Sequence, residues 1–317
     1  MKPPYTISSR ILKLTSDISI KIGEVNANYL TRQSPHLLKS NRVKTIHSSL
    51  QIEGNTLTID QITAMVDNKR VIGPKKDVLE VQNAIAVYDA LSSFNFSDEK
   101  SFLKAHKMLM GDLVSSPGKY RTGGVGIVKG SQVKHVAPPA SKVPALMKDL
   151  FLYLKADVDL PLIKSCVFHY ELEFIHPFSD GNGRMGRLWQ TVILMNEFPV
   201  FEFLPFETLI SKRGKAYYDA LSKSDKAGNS TYFIEFVLEI IDESLSQLLS
   251  YKGRVMTSLD RIEYFLSVGP KEFSRKDYMN VFKDISTATA SRDLKNAIDQ
   301  LKILKIGEKR LARYKIR

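Results

Sequence analysis

Two helix-forming apolar segments separated by a short polar loop constrain the fold of this chain more than any other feature. The first, "LPLIKSCVFHYELEFIH", ends at His176, and the second begins at Asn182 or Gly183 and runs to about Asn196. A loop this short makes the two helices antiparallel neighbours. The sequence "HPFSDGNGRMGR", which joins them, therefore lies at one end of a helical hairpin.

The remainder of the first 250 residues favours helices with one exception. Residues 7–110 are mainly helix-forming, whereas the Gly- and Pro-rich stretch after them contains alternating runs at Val125–Val128 and Gln132–Val136 that predict a β-hairpin. With 317 residues, the chain is long enough to bury a core. We predict an all-α fold with a small hairpin, divided into an N-terminal helical region (1–110) and a core (111–250).

The last 67 residues form a separate basic module. Residues 251–317 hold 16 Lys/Arg and 8 Asp/Glu, a net charge of +8 out of +12 for the chain. Their helix-forming stretches are "SLDRIEYFL", "SRKDYMNVF" and "STATASRDLKNAIDQLKIL", followed by two short strands within "KIGEKRLARYKIR". This order predicts a winged helix-turn-helix.

The basic module suggests a class of function unrelated to enzymes. Arg292 and Lys295 on its third helix, with Lys309, Arg310 and Arg313 on the wing, would contact DNA phosphates in a DNA-binding regulator. Winged helices also dock proteins or form dimers, and these alternatives stay open.

We expect a cytoplasmic protein that does not span a membrane. No run of 18 apolar residues is present, and the opening "MKPPYTISSRILKL" lacks the apolar segment of a secretion signal. The lone Cys166 cannot form an intrachain disulfide, and its apolar neighbours predict a buried side chain.

The loop residues suit the binding of a polyphosphate. Gly181 and Gly183 allow backbone angles closed to other residues and a close approach of a ligand to the main chain. The unpaired N–H groups that begin the next helix form an anion site, to which Asn182 can add an amide. Arg184 and Arg187, three residues apart on one helix face, offer two forked donors to further phosphate oxygens.

Two other residues supply a metal ligand and a base, which the transfer of a phosphate-containing group also needs. Asp180 supplies a single carboxylate beside the phosphates, which suits Mg²⁺. His176 can take the proton from an attacking hydroxyl, as histidine side chains often do.

These residues together resemble a known family. The run from His176 to Arg187 is similar to the Fic (filamentation induced by cAMP) signature, H-x-F-x-D/E-G-N-G-R-x-x-R. The resemblance extends over about residues 35–240 and implies a helical fold with a β-hairpin flap. It also implies transfer of AMP from ATP, with Mg²⁺, to a Ser, Thr or Tyr hydroxyl of a target protein; the protein itself is one candidate target. His176 would be the base, Asp180 the metal ligand, and Gly181, Asn182, Gly183, Arg184 and Arg187 the phosphate-binding residues.

A second segment resembles the inhibitory motif of this family, [S/T]-x-x-x-E-[G/N]. Ser49 and Glu53 occupy its defined positions, ahead of the core as in members with an N-terminal inhibitory helix. The resemblance implies that Glu53 pairs with Arg187 and so occupies donors that a terminal phosphate needs.

The resemblance assigns the hairpin and a tyrosine pair to substrate binding. The hairpin would hold a target segment as an added strand, and Lys134 and His135 would contact the nucleotide. Tyr217 and Tyr218 would border the adenine, although ordinary helix packing explains them equally well. Two other activities stay open: removal of AMP from a protein, and transfer from a nucleotide other than ATP. Formation of a homodimer also stays open.

Overall fold

The chain is described here from a computed structural model. It covers residues 2–28, 35–124, 126–129, 132–156, 158–250, 257–282, 285–307 and 312–316. Within these ranges the side chains of residues 27–28, 35–37, 126–129, 132–136 and 267–268 are not described. The chain divides into two compact units, one of Met1–Asn26 and Asn41–Leu249 and one of Ala27–Ser40 and Ser250–Arg317.

The first 250 residues are mainly helical, as predicted. The helices are α1 (Ser9–Asn28), α2 (Pro35–Ile52), α3 (Ile59–Val66), α4 (Lys75–Asp89), α5 (Glu99–Leu109), α6 (Val143–Lys155), α7 (Pro161–Ile175), α8 (Asn182–Glu197), α9 (Glu207–Lys212), α10 (Gly214–Ala227) and α11 (Thr231–Ser250). None of the helices in the described ranges is long and apolar enough to cross a membrane.

The predicted β-hairpin is present between α5 and α6. Strand β1 (Gly126–Lys129) pairs antiparallel with β2 (Gln132–Val136), and the register shifts between Ile127 and Val128. Val125, the first residue of the predicted run, lies outside the described residues.

An aromatic cluster fixes α7, α8 and the loop between them. The Phe102 ring on α5 lies 5.0 Å from the ring of Trp189 on α8 and 5.9 Å from that of Phe168 on α7. It also lies 5.5 Å from the ring of Phe178, which belongs to the loop and is fully buried. Burial of Phe178 therefore ties the loop to the core, since removing a large aromatic ring from water is strongly favourable. Cys166 is buried in α7, as predicted.

The basic module contains the three predicted helices and two predicted strands. They are α12 (Ser258–Val268), α13 (Arg275–Val281), α14 (Thr287–Asp299), β4 (Ile303–Ile306) and β5 (Arg313–Ile316). A further strand, β3 (Glu272–Ser274), was not predicted; it pairs with β5 to give the sheet order β3-β5-β4.

The third helix of the module is shorter than the sequence predicted. It ends at Asp299, and Leu301 takes a left-handed conformation at φ 58°. That conformation breaks the helix, so Ile303 and Leu304 join β4 and pair with β5 instead.

A buried ion pair joins the helices of this module. Arg261 on α12 donates from Nε and Nη2 to the two oxygens of Asp293 on α14, at 2.6 and 3.0 Å. The hydroxyl of Tyr278 on α13 donates to the same carboxylate at 3.1 Å. Burial opposes ionisation of Asp293, but these donors hold the pKa of its carboxyl below the ordinary value.

We expect Asp293→Asn to destabilise this module by about 3 kcal/mol at pH 7, because it leaves the Arg261 charge buried without its carboxylate. Hydrogen exchange of amides in α12 and α14 measures the loss. Asp299→Asn, an exposed change on the same helix, is the control and should alter exchange little. The folded carboxyl has the lower pKa, so the difference from wild type should shrink as the pH falls below about 4. Equal exchange in the two variants at pH 7 would contradict this prediction.

Candidate active site

The loop between α7 and α8 begins and ends with left-handed residues. His176 ends α7 at φ 50° and ψ 59°, and Gly181 precedes α8 at φ 87°. A left-handed conformation is costly for His176, so surrounding contacts must hold it. At Gly181 an added Cβ would lie 2.7 Å from the sulfur of Met110, so the position also lacks space for a side chain.

Asn182 shapes the loop from inside. Its Nδ2 donates to the carbonyl of Phe178, and its Oδ1 accepts from the Phe178 N–H, both at 2.9 Å. The side chain is buried, so its amide is committed to the loop backbone. The N–H groups in the first turn of α8 have no helical carbonyl one turn earlier to accept them, so they are the groups at this helix start that an anion can bind.

Two carboxylates hold the first arginine of α8. Nη1 of Arg184 donates to Oε1 of Glu80 on α4, and Nη2 donates to Oδ1 of Asp180, both at 3.1 Å. The other oxygen of Glu80 accepts from Nδ2 of Asn55 at 2.8 Å. Asp180 also accepts from the N–H of Gly181, yet its side chain remains half-exposed to solvent.

The second arginine is sealed beneath α2. Arg187 is fully buried. Its Nε donates to Oγ of Ser49 at 3.1 Å. Its Nη2 donates to the carbonyl of Ser49 at 2.9 Å and to Oε1 of Glu53 at 2.8 Å. Its Nη1 is buried with no hydrogen-bond partner among the described residues. Burial alone would lower the pKa of Arg187, but the Glu53 carboxylate raises it above the ordinary value.

The absence of a side chain at Gly183 lets this pair form. A Cβ added there would lie 2.6 Å from Oε1 of Glu53 and 3.2 Å from Nη1 of Arg187. The same Cβ would lie 3.3 Å from Oε1 of Glu173, a second carboxylate beside Arg187.

His106 on α5 supports the loop from the opposite side. Its Nδ1 accepts from the N–H of Gly118 at 2.8 Å, and its Nε2 lies 3.1 Å from the carbonyl of Asp180. Burial lowers the pKa of His106 to about 4, so the ring is neutral at pH 7 and its Nε2–H donates. The ring also stacks on Phe178 at 3.6 Å.

The two predicted adenine-bordering tyrosines differ in exposure. Tyr217 is buried, and its hydroxyl lies 3.1 Å from both Oε1 of Glu173 and Nε2 of His169. Tyr218 is 48% exposed, and burial together with the charge of Glu53 raises its pKa. Of the two tyrosines, Tyr218 is therefore the one with an accessible ring.

Lys134 and His135 have described backbones but no described side chains. Both lie in β2, and His135 pairs with Ile127. Their predicted contacts with a nucleotide fall outside the described residues.

Three residues beside the loop were not predicted from the sequence: Glu80, His106 and Arg121. Glu80 and His106 share one signal, a polar residue on the apolar face of an amphipathic helix, since both are buried in α4 and α5. Arg121 donates from Nε to the carbonyl of His176 at 2.7 Å, and no local pattern marks it.

Comparisons with known proteins identify relatives of this chain. A sequence profile of the Fic/DOC family matches residues 96–194. A crystal structure of a Fic family protein from Desulfovibrio desulfuricans is 40% identical, has a TM-score of 0.77, and is matched over 100% of this chain and 98% of that chain. A solved fragment of Fic-1 from C. elegans, 21% identical with a TM-score of 0.62 over 76% of this chain and 72% of that one, shares the fold.

The curated relatives carry a functional name. Protein adenylyltransferase fic-1 from Caenorhabditis elegans is 28% identical over 81% of this chain and 49% of its own length. Protein adenylyltransferase Fic from Nematostella vectensis is 29% identical over 65% of this chain and 48% of its own length. The chain thus spans about half the length of the curated relatives it matches.

We expect Gly183→Ala to lower the free energy of unfolding by about 1–2 kcal/mol, because the added methyl group overlaps the Glu53 carboxylate. The matched control is Gly214→Ala at the start of α10, where an added Cβ meets nothing within 4 Å. Alanine should stabilise that helix by up to about 1 kcal/mol.

Chemical denaturation of the single variants and of Gly183→Ala combined with Glu53→Ala measures the coupling. The penalty at Gly183 should shrink once the carboxylate is removed. A penalty that is unchanged in the double variant would show that Glu53 is not the obstacle.

Proposed function

This chain belongs to the Fic family, and we propose that it transfers AMP from ATP to a hydroxyl side chain of a protein, under restraint by Glu53. The observation that carries the proposal is the sealed guanidinium of Arg187 in the second turn of α8, whose anionic partner, Glu53, directly follows the separate helix α2. The names of its curated relatives support the same activity.

The phosphate chain of ATP fits the start of α8. The N–H groups of Asn182, Gly183 and Arg184 carry the positive end of the helix dipole. Arg184 and Arg187 add two guanidinium groups, each of which is held by a carboxylate in the described state. A terminal phosphate that takes the place of Glu53 would meet Nη2 and the unpartnered Nη1 of Arg187.

His176 is the proposed general base. His176 ends α7, across the loop from the N–H groups that we propose to bind phosphate, and this position supports the assignment. The target hydroxyl oxygen forms a bond to the α-phosphorus, the bond from that phosphorus to the α–β bridging oxygen breaks, and pyrophosphate leaves. His176 takes the hydroxyl proton in this step.

Asp180 fits a magnesium ion. Its carboxylate is 52% exposed and lies next to the proposed phosphate positions, and one carboxylate plus phosphate oxygens is a usual set of Mg²⁺ ligands. The bound ion would neutralise charge on the phosphates, while Arg184 holds the carboxylate that binds it.

The hairpin and the exposed tyrosine complete the proposed substrate sites. A target segment pairs with the hairpin as an added strand, so that main-chain hydrogen bonds place its hydroxyl. Tyr218 borders the adenine with Tyr217 behind it, and Lys134 and His135 contact the nucleotide.

Glu53 restrains the reaction by occupying Arg187. The end of α2 is seated by α9, since Oγ of Ser48 donates to Oγ1 of Thr208 at 3.1 Å and Oγ of Ser211 donates to Oε1 of Gln51 at 2.9 Å. With Glu53 in place, ATP binds with its α-phosphate poorly aligned for attack. Release of Glu53 restores the site.

We expect Glu53→Gly to raise AMP transfer and His176→Ala to abolish it, because one change frees Arg187 and the other removes the base. The measurement is incorporation of label from α-labelled ATP into the protein itself, with Mg²⁺. Wild type, Glu53→Gly, and Glu53→Gly combined with His176→Ala are compared. Glu202→Gly, a change of an exposed carboxylate in the same unit, is the control and should leave the wild-type level unchanged.

Each outcome has a distinct meaning. Equal labelling of wild type and Glu53→Gly would overturn the restraint, and labelling without His176 would overturn its role as base. No labelling in any variant would direct attention to another nucleotide donor or to removal of AMP.

A second candidate function belongs to the basic module, for which we propose binding to duplex DNA. Arg292 and Lys295 are exposed on α14. Arg275 on α13 lies beside them, since its Nη1 donates to Oγ of Ser291 at 2.8 Å, and Arg313 is exposed on β5. The predicted wing residues Lys309 and Arg310 lie outside the described residues. Exposed cations on one helix and its neighbours suit phosphate contacts.

We expect Arg292→Ala with Lys295→Ala to weaken binding of a 20-base-pair duplex about tenfold and to reduce the slope of log Kd against log salt by about 2. Fluorescence anisotropy at several salt concentrations measures both. Lys142→Ala with Lys148→Ala makes the same charge change at exposed positions of the other unit and should have little effect. If both double variants lose the same affinity for the duplex, the effect is one of net charge and not of these two residues. If the wild-type protein does not bind the duplex, the proposal of DNA binding is wrong.

A further inference from the structure

Arg121 is a buried guanidinium that is held by carbonyl oxygens. Its residue is 7% exposed, and burial lowers its pKa below the ordinary value. Every hydrogen bond that its guanidinium makes among the described residues ends on a main-chain carbonyl. Burying a charge in this way is expensive, so the contacts with these carbonyls must offset a large cost.

The carbonyls belong to two separate parts of the site. One pair lies at the end of α7: Nε donates to the carbonyl of His176 at 2.7 Å, and Nη2 donates to that of Ile175 at 3.3 Å. The other pair flanks the hairpin: Nη1 donates to the carbonyl of Gly123 at 2.9 Å, and Nη2 also donates to that of Pro138 at 2.5 Å.

Gly123 and Pro138 mark the two ends of the hairpin. Gly123 precedes β1 by three residues, and Pro138 follows β2 by two. The main-chain N–H of Arg121 adds a further bond, to the carbonyl of Pro177 at 2.9 Å. One residue therefore clamps both ends of the hairpin to the loop that carries His176.

The electrostatics of α7 explain how the charge is tolerated. The last carbonyls of a helix carry the negative end of its dipole and have no partners within the helix. The guanidinium satisfies two of them and, because it is planar with five donors, reaches the hairpin ends at the same time. A lysine ammonium has three donors on one atom and cannot span both sides.

We propose that Arg121 is a positioning residue that fixes the base of the hairpin relative to His176. It acts on the backbone: it holds the left-handed His176 from one side and both hairpin ends from the other. The catalytic role of Arg121 rests on the proposed transfer reaction, whereas its contacts with the hairpin do not. The reaction needs a target strand on the hairpin and the base at the end of α7 in one fixed geometry.

The first experiment tests the clamp without any activity. Hydrogen exchange of hairpin amides 126–136 is compared in wild type, Arg121→Lys and Arg121→Gln. We expect exchange in both variants to be about tenfold faster, because the hairpin ends lose their anchor. Amides of α11 serve as the internal reference and should not change. Arg10→Lys, which alters an exposed ion pair with Glu239, is the matched control.

The second experiment tests the consequence for transfer, in the Glu53→Gly background. We expect the rate of self-labelling at saturating ATP to fall about tenfold or more in Arg121→Lys, since small displacements of reacting groups are costly. The Kd of ATP, measured by calorimetry with Mg²⁺, should stay within about twofold, because the phosphate-binding groups lie on α8. A purely structural role would lower the labelling rate and raise the Kd of ATP together.

The outcomes separate this inference from the proposed function. Unchanged hairpin exchange in both variants would overturn the clamp, whatever the activity. Faster exchange with an unchanged labelling rate would overturn its role in positioning. A Glu53→Gly parent that takes up no label would count against the proposed transfer, while the exchange data would still decide whether Arg121 holds the hairpin.

Discussion

The buried charge of Arg187 is the constraint on which the arrangement of the site depends. A fully buried guanidinium needs a compensating charge and partners for its donors. Ser49 on α2 and Glu53 just after it supply these to Nε and Nη2 of Arg187, whereas Nη1 has no hydrogen-bond partner among the described residues. That contact requires α2 to lie close against the start of α8, which in turn requires Gly183 to have no side chain. The polar contacts of α9 with α2 support the same placement from another side. The segment that carries Ser49 and Glu53 is thus part of the packing of the folded unit.

The loop itself is held before any ligand arrives. His106 fixes the carbonyl of Asp180, Arg121 fixes that of His176, and Asn182 closes the turn between them. Burial of Phe178 anchors the same turn in the aromatic cluster. Groups that are held in place in advance need little reorganisation when charge develops on a substrate, which suits the proposed transfer of AMP.

Much of this site could be predicted because its central residues are contiguous. The bounds of α7 and α8, the left-handed Gly181 and the positions of Arg184 and Arg187 follow from short-range rules of helix termination and periodicity. The prediction for Glu53 came instead from a resemblance, and Arg187 lies 134 residues away from it. Glu80, His106 and Arg121 were missed. Their bonds to the site cross 104, 74 and 55 residues, and no spacing rule connects positions so far apart.

The amino-acid sequence by itself therefore determined the loop, the two helices that carry it, the hairpin and the charge asymmetry of the chain, since each depends on neighbouring residues. Only the tertiary structure decided which side chains seal and support that loop. It also decided that the last helix of the basic module stops at Asp299 and that a three-residue strand pairs across the sheet. The physical reason is the same in each case: a buried polar group or a short strand is stable only through a distant partner, and packing selects that partner.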